Sequence, residues 1–122
     1  MNKKNNRSKF IVEVQNLSLK IQNKQILKNI SFSILTNETV AIVGESGSGK
    51  TLTALSLIGL IPNKSFISSN KMSFLNKSLT NNSEKVWRSI RGKEIGVIFQ
   101  EPHSSLNPSM KCGKQLLEVL ET

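Results

Sequence analysis

The sequence predicts an α/β fold in which a buried strand, a glycine-rich loop and a helix follow one another. An apolar run at 39–43 leads directly into Gly-Glu-Ser-Gly-Ser-Gly-Lys-Thr at 44–51, and a helical apolar pattern extends over 52–60. The loop residues occupy every fixed position of G-x-x-x-x-G-K-[ST], a pattern typical of phosphate-binding loops when a strand precedes it and a helix follows. The sequence therefore predicts a site for a nucleoside triphosphate rather than a glycine-rich turn that binds nothing.

Each residue type in this phosphate loop has a physical reason. The three glycines tolerate backbone angles that side chains exclude, and they let the main chain approach phosphate closely. The amides of residues 47–51 are expected to point inward at the positive end of the following helix. We expect Lys50 to reach the β- and γ-phosphates and the Thr51 hydroxyl to bind Mg²⁺. The predicted nucleotide-binding residues are the whole loop: Gly44, Glu45, Ser46, Gly47, Ser48, Gly49, Lys50 and Thr51.

Composition narrows the class of protein. The formal charge is +9, but the lysines are scattered outside residues 1–9, aromatic residues make up 5% and there is no tyrosine. A surface for stacking nucleic-acid bases is therefore not expected, and we predict no nucleic-acid partner. The longest apolar run, 57–61, is far too short to cross a membrane. We expect a soluble protein that reaches a membrane only through a partner, and whose missing acidic residues lie outside this sequence.

Two further strands are predicted before the strand that leads into the loop. Residues 1–9 are polar and basic and are expected to form a disordered tail, followed by a domain over 10–122. Residues 10–19 and 26–34 alternate between apolar and polar side chains, as antiparallel strands do. Asn37 is expected to adopt the left-handed conformation in the turn before the strand at 39–43.

The second half of the chain is predicted to contain shorter elements. The helix after the loop is expected to end near Pro62. A short strand at 71–75, a helix at 83–91 capped by Ser83, and a second buried strand at 95–99 follow. The predicted apolar face of the 83–91 helix consists of Val86, Trp87 and Ile90. A last amphipathic stretch contains Leu116, Leu117, Val119 and Leu120.

A second motif narrows the choice of family. Residues 88–108 read Arg-Ser-Ile-Arg-Gly-Lys-Glu-Ile-Gly-Val-Ile-Phe-Gln-Glu-Pro-His-Ser-Ser-Leu-Asn-Pro. This stretch closely resembles the Q-loop region of ATP-binding-cassette (ABC) transporter subunits, in the branch that serves oligopeptide, dipeptide and nickel importers. Residues 43–50 and 57–62 resemble the same branch. The resemblance implies a phosphate-loop NTPase fold of the ABC type, represented by its N-terminal β-region, a partial core sheet and the start of the helical subdomain.

The resemblance also implies site residues, ligands and partners. Gln100 would contact Mg²⁺ and the attacking water, and would couple the site to a membrane partner. Ile21 occupies the position of an aromatic residue that stacks on adenine, so its packing on the base would be weaker by about 1 kcal/mol. The implied ligands are ATP and Mg²⁺, the latter held by Thr51 and Gln100. The implied partners are a second ATP-binding subunit and permease subunits, at the cytoplasmic face of the plasma membrane.

The groups that such a family uses to hydrolyse ATP are missing from the sequence. These are a Mg²⁺-supporting aspartate, the glutamate after it, an L-S-G-G-Q signature loop and a switch histidine, whereas every acidic residue here is a glutamate and His103 matches a variable position. We expect the N-terminal part of a transporter ATPase, truncated by gene decay, a frameshift or a cloning boundary, that hydrolyses ATP slowly or not at all alone. The alternative is a stand-alone nucleotide-binding or regulatory module, or a half-domain completed by a second polypeptide. Whether the chain is itself an enzyme stays open.

Overall fold

A single antiparallel sheet carries three short helices in the computed structural model, which describes residues 10–101 and 106–120. The predicted disordered tail at 1–9 lies outside the described residues. The elements are β1 (Phe10–Ile21), β2 (Lys24–Leu35), α1 (Lys50–Ser56), β3 (Ser65–Ser68), β4 (Lys71–Phe74), β5 (Lys77–Ser78), α2 (Glu84–Ile90) and α3 (Cys112–Leu120).

The β1–β2 hairpin organises the sheet. β1 pairs with β2 along one edge, from Phe10 opposite Leu35 to Ile21 opposite Lys24. Along its other edge β1 pairs with β4 and then with β3, and β4 pairs with β5. The predicted antiparallel N-terminal β-region is therefore confirmed, with each strand one or two residues longer at its ends than the alternation indicated.

Two asparagines let the hairpin pass through irregularities in its pairing. Asn16 and Asn29 have φ angles of 53° and 51°. The amide of Asn16 donates to Ser31 Oγ at 2.9 Å, and the amide of Asn29 donates to Ser18 Oγ at 3.0 Å. Serine side chains thus satisfy main-chain donors at the bulges. Because the chain recovers its alternation, the apolar side chains of β1 before and after the bulge stay buried: Val12, Val14, Leu17 and Leu19.

The hydrophobic core lies beneath the hairpin, against the helices. Trp87 and Ile90 of α2 belong to it, which confirms the packing role predicted for Trp87, whereas Val86 is 40% exposed and its predicted burial is wrong. Full burial of a leucine-sized side chain contributes about 2 kcal/mol. The least exposed apolar side chains are those of Val14, Leu17, Leu19, Leu27 and Leu79.

Two predicted buried strands do not form. Residues 39–43 and 95–99 lie outside every strand of the described chain, apart from one isolated parallel bridge between Arg91 and Ile95. Val43 is 87% exposed and Ile98 is 94% exposed. A strand requires a neighbour that accepts and donates its main-chain hydrogen bonds, and no described segment pairs with these residues as a strand. The prediction of a partial core sheet is therefore wrong for these residues, which form two apolar segments without a strand partner in the described part of the chain.

Helices α1 and α2 meet at Gly59. α1 ends at Ser56, before the predicted end near Pro62, and a turn follows in which Gly59 has a φ of 65°. The Trp87 ring lies so close that a Cβ on Gly59 would be 2.4 Å from Cε2. Ser83 occupies the N-cap position of α2 as predicted, but its side chain makes no capping hydrogen bond.

The last helix, α3, has no buried residue. Its N-terminal region is held by Gln115, whose Oε1 accepts from the amide of Asn107 at 2.8 Å. The predicted amphipathic residues lie on it and are exposed: Leu116, Leu117, Val119 and Leu120. No helix within 10–101 and 106–120 combines the length and apolar character that a membrane crossing requires.

We expect Gly59→Ala to lower the free energy of unfolding by about 2–4 kcal/mol, because the new methyl group would overlap the Trp87 ring at a positive φ. Urea unfolding followed by circular dichroism measures this change. Gly96→Ala is the control, since nothing lies within 4 Å of its added Cβ. Equal stability of the two variants would contradict the packing of α2 on this turn.

We expect the ion pair between β1 and β4 to stabilise the fold only above acidic pH. Lys71 Nζ donates to Glu13 Oε2 at 2.5 Å, and this hydrogen bond is the main cause that lowers the pKa of Glu13. Because the folded pKa is below the unfolded one, the stabilisation is present above the unfolded pKa and is lost as pH falls through the folded pKa.

Glu13→Gln should therefore lower the Tm at about pH 7, and its difference from the wild type should vanish as pH falls through the lowered pKa of Glu13. Glu94→Gln is the control, because Glu94 takes part in none of the ion pairs of the described residues. A deficit of Glu13→Gln that persists at the lowest pH would refute this account.

Candidate nucleotide-binding site

Two glycines of the phosphate loop adopt left-handed backbone conformations. Gly47 has a φ of 78° and Gly49 a φ of 93°. The amide of Ser48 donates to the carbonyl oxygen of Glu45 at 3.2 Å, which closes a turn at the tip of the loop. The third glycine is needed for space instead, because a Cβ on Gly44 would lie 2.7 Å from Ser48 Oγ. The expected backbone angles are thus confirmed at Gly47 and Gly49, whereas Gly44 has no left-handed φ and only a side-chain contact that would crowd a Cβ.

Gly49 holds the loop against the sheet. It is the N-cap residue of α1, and a Cβ there would lie 2.5 Å from Leu27 Cδ2. Leu27 is 1% exposed, so its side chain has little room to move away. The carbonyl oxygen of Gly49 accepts from the amide and the hydroxyl of Thr53 at 2.8 and 2.9 Å. The start of α1 is therefore fixed on β2 by packing and on its own first turn by hydrogen bonds.

The ammonium group of Lys50 lies across the loop. Nζ donates to the carbonyl oxygens of Gly44 at 2.9 Å and of Glu45 at 2.6 Å. None of the ion pairs formed by the described residues includes Lys50. A phosphate oxygen is a stronger acceptor for an ammonium than a neutral carbonyl oxygen is. An anion at the loop can therefore recruit Lys50 without breaking an ion pair.

The start of α1 also favours an anion. Its first turn contains no acidic residue that would offset the positive end of the helix. Thr51 is exposed there, and no hydrogen bond involves its hydroxyl among the described residues. The ammonium of Lys50 and the free hydroxyl of Thr51 together fit a phosphate group with a bound Mg²⁺. The acidic residue of the loop, Glu45, is exposed and contributes its carbonyl oxygen to the contacts described above.

Two grooves meet at the loop. The first, about 190 Å³, lies between β2 and the loop and is lined by Ile26, Gly47, Gly49, Lys50, Thr51 and Leu52. The second, about 430 Å³, lies between β2 and residues 40–44 and also reaches Lys50. Lys50 therefore borders both, and a ligand bound to its ammonium can extend into either groove.

Two site residues implied by the resemblance lie elsewhere. Ile21 is at the end of the β1–β2 hairpin, where it pairs with Lys24 and Ser65 and packs against the core. Gln100 is exposed in a bend that follows residues 95–99. Neither residue lines a groove at the loop, so their roles stay predictions.

Ile26 is one of the groove residues that the sequence did not identify. Alternation places it on an apolar face of β2, but only the approach of Gly49 to its carbonyl oxygen brings this part of the strand to the loop. No local pattern reports such a contact, because Ile26 and Gly49 are far apart in sequence. Its side chain offers the loop an apolar wall.

Comparisons with known proteins identify the family that the chain resembles. The sequence profile described as ABC transporter matches residues 27–121. The oligopeptide transport ATP-binding protein of Bacillus subtilis is 43% identical over 115 residues, covering 90% of this chain and 32% of that protein. The dipeptide transport ATP-binding protein of Lactococcus lactis is 40% identical over 114 residues, covering 90% and 33%. The glutathione import ATP-binding protein of Pectobacterium atrosepticum is 39% identical over 122 residues, covering 92% and 20%. The chain thus spans a third or less of the length of these relatives.

Alanine at the two left-handed glycines should have unequal effects. Gly47→Ala adds only strain at a positive φ, which costs about 1–2 kcal/mol, because nothing lies within 4 Å of its Cβ. Gly49→Ala adds the same strain and an overlap with Leu27, so we expect about 2–4 kcal/mol. Urea unfolding of both variants gives the comparison. Equal losses would show that Leu27 does not support the loop.

Proposed function

Because the chain belongs to the ABC transporter family, as the match over residues 27–121 shows, we propose that its phosphate loop binds ATP together with Mg²⁺. The observation that carries this proposal is the position of Lys50 Nζ, held by two loop carbonyls and neutralised by no described ion pair. This family membership and the ABC-type phosphate-loop fold confirm the resemblance noted in the sequence.

The residues of the loop have separate tasks in this proposal. Lys50 transfers its hydrogen bonds from the loop carbonyls to phosphate oxygens. The main-chain amides of residues 47–51 bind the same phosphates, that of Ser48 after leaving the carbonyl oxygen of Glu45. The Thr51 hydroxyl is a ligand for Mg²⁺, which when bound neutralises part of the phosphate charge. Ile26 packs beside the bound nucleotide, whereas Ile21 and Gln100 keep the base-packing and water-positioning roles that the resemblance assigns.

We propose that the chain serves as part of the energy-coupling subunit of a peptide importer. The named relatives act on oligopeptides, dipeptides and glutathione. On this proposal it works with a second ATP-binding subunit and permease subunits at the cytoplasmic face of the membrane, and residues 10–122 contribute the ATP-binding portion. Peptides are favoured over nickel, because none of these three names refers to a metal.

Hydrolysis by these residues alone is proposed to be slow or absent. The sequence has no aspartate to support Mg²⁺ and no histidine in a switch position. Positioned charges and general bases each account for orders of magnitude in rate. Phosphate release from ATP at a rate typical of an ATPase, and abolished by Lys50→Ala, would overturn this part of the proposal.

A half-domain completed by a second polypeptide is the second candidate. It is favoured by the unpaired apolar segments, in which Val43 and Ile98 are almost fully exposed. Such segments expose main-chain groups and apolar side chains that another strand would cover. Gel filtration of the chain alone distinguishes the candidates, because a stable monomer that saturates with nucleotide would need no completing strand.

We expect Lys50→Ala to weaken binding of MgATP by about 10- to 100-fold, because it removes the charged donor to the phosphates. Isothermal titration calorimetry of the 122-residue chain measures the Kd. Lys28→Ala is the control, since Lys28 is an exposed lysine of β2 that lines neither groove at the loop. Unchanged binding in Lys50→Ala would refute the proposed site.

A further inference from the structure

Arg91 joins the two helices at the end of α1 that is opposite the phosphate loop. Its Nε donates to the carbonyl oxygen of Ile58 at 2.7 Å, and its Nη2 donates to that of Gly59 at 3.0 Å. Both carbonyls belong to the turn that ends the α1 segment. Arg91 comes directly after α2, 32 residues beyond Gly59 in the chain, so the contact is tertiary rather than local.

The end of α1 lacks a positive charge of its own. The carbonyl oxygens of Ala54, Leu55 and Ser56 accept from amides of the turn that follows, but the last turn of α1 contains no basic residue to offset the negative end of the helix dipole. Arg91, from beyond another helix, supplies donors to the two carbonyl oxygens just after that end and brings a positive charge beside it.

The guanidinium of Arg91 is also oriented by two groups outside α1. Nη1 donates to Glu84 Oε1 at 2.7 Å, and the guanidinium carbon lies 5.7 Å from the centre of the Trp87 ring. Only 22% of the Arg91 side chain is exposed. A guanidinium that is already held by a carboxylate and an aromatic ring loses little further conformational entropy when it binds two carbonyl oxygens.

The backbone after Arg91 is also fixed. The amides of Glu94 and Ile95 donate to the carbonyl oxygen of Ile90 at 2.9 and 3.1 Å, and that of Gly92 donates to Ile95 at 3.0 Å. Arg91 thus extends from a tight turn and not from a loose loop. It is a firm anchor for the end of α1.

α1 is consequently held at both ends. Gly49 contacts Leu27 at the N-terminal end, and Arg91 binds the turn at the C-terminal end. A helix of seven residues is about 10 Å long and rigid, so an error in its direction moves its N-terminal amides and Lys50. Without the two Arg91 bonds, the C-terminal end keeps the packing of Gly59 on Trp87 and the burial of Ile58, which fix its direction less closely than directed hydrogen bonds do.

We propose that Arg91 is a positioning residue for nucleotide binding: by fixing the end of α1 against α2, it holds Lys50 and the loop amides where the phosphates bind. This inference rests on the proposed function of the loop. It assigns Arg91 no contact with the nucleotide and an effect that is transmitted along α1. Because such coupling is reciprocal, nucleotide binding in turn tightens the contacts of Arg91, which lies over the Trp87 ring.

The test compares three variants of the 122-residue chain by calorimetry with MgATP. Arg91→Met keeps an apolar stem over Trp87 but removes both carbonyl bonds and the charge, so we expect a Kd about tenfold higher. Arg91→Lys keeps the charge and a donor, and its Kd should lie between that of Arg91→Met and the wild type. Arg88→Met is the matched control, since Arg88 is 81% exposed, lies 3.8 Å from Glu84 and should leave the Kd unchanged.

Fluorescence gives a second measurement, because Trp87 is the single tryptophan and there is no tyrosine. MgATP should change the Trp87 emission of the wild type and of Arg88→Met, and should leave that of Arg91→Met unchanged. If Arg91 had a merely structural role, Arg91→Met would lower the Tm measured without nucleotide. It would leave unchanged both the emission change and the Kd measured at a temperature well below the Tm. That outcome would overturn the inference.

The outcomes separate this inference from the proposed function. If the wild type shows no saturable binding of MgATP, the proposed function and the inference are both refuted. If the wild type binds, Lys50→Ala does not and Arg91→Met binds like the wild type, only the inference fails. If Arg91→Met does not fold, Arg91→Lys decides: a raised Kd at an unchanged Tm supports the inference, and a wild-type Kd overturns it.

Discussion

The contact between Gly49 and Leu27 sets the position of the phosphate loop on the sheet. A glycine-rich loop has few side chains with which to hold its own shape, so it depends on the surface that it lies against. Leu27 provides that surface because it is buried opposite Leu19 in the β1–β2 hairpin. The register of the hairpin is set by alternation and by two left-handed asparagines. Through this one close contact, the register therefore determines where the phosphate loop lies. A shift of one residue in β2 would turn Leu27 to the outer face and remove the support.

Helix α1 buries two small polar side chains whose hydroxyl groups are satisfied within the helix. Thr53 and Ser56 are 3% and 1% exposed, and their hydroxyls donate to the carbonyl oxygens four residues earlier, at 2.9 and 2.7 Å. Such bonds remove the cost of burying a hydroxyl without requiring a partner from the sheet. A hydrophobicity pattern does not select threonine or serine for burial, so the sequence did not indicate these positions.

The parts of the structure that were predictable are those set by local rules. Alternation identified β1 and β2, the loop motif identified the start of α1, and Asn37 has the predicted left-handed conformation with a φ of 60°. The strands at 39–43 and 95–99 were not predictable in the same way, because an apolar run indicates a buried strand only when other strands pair with it. Ile26 and Arg91 were missed because their contacts are tertiary. No spacing along the chain indicates that a guanidinium after α2 will bind the end of α1.

The unpaired segment before the loop has a consequence for binding. Gly44 follows residues 39–43 directly, and its carbonyl oxygen is one of two that hold Lys50 Nζ. Without ladder hydrogen bonds on 39–43, the Lys50 ammonium is itself a main constraint on that side of the loop, whereas the Gly49 side is fixed by packing. A phosphate that recruits Lys50 therefore removes a constraint from the loop as it binds, and part of its binding free energy is used to order Gly44 again. A strand that pairs with 39–43 would fix Gly44 independently of Lys50. On the proposed function, nucleotide affinity and the pairing of this segment are thus expected to be coupled, each increasing the other by the same factor.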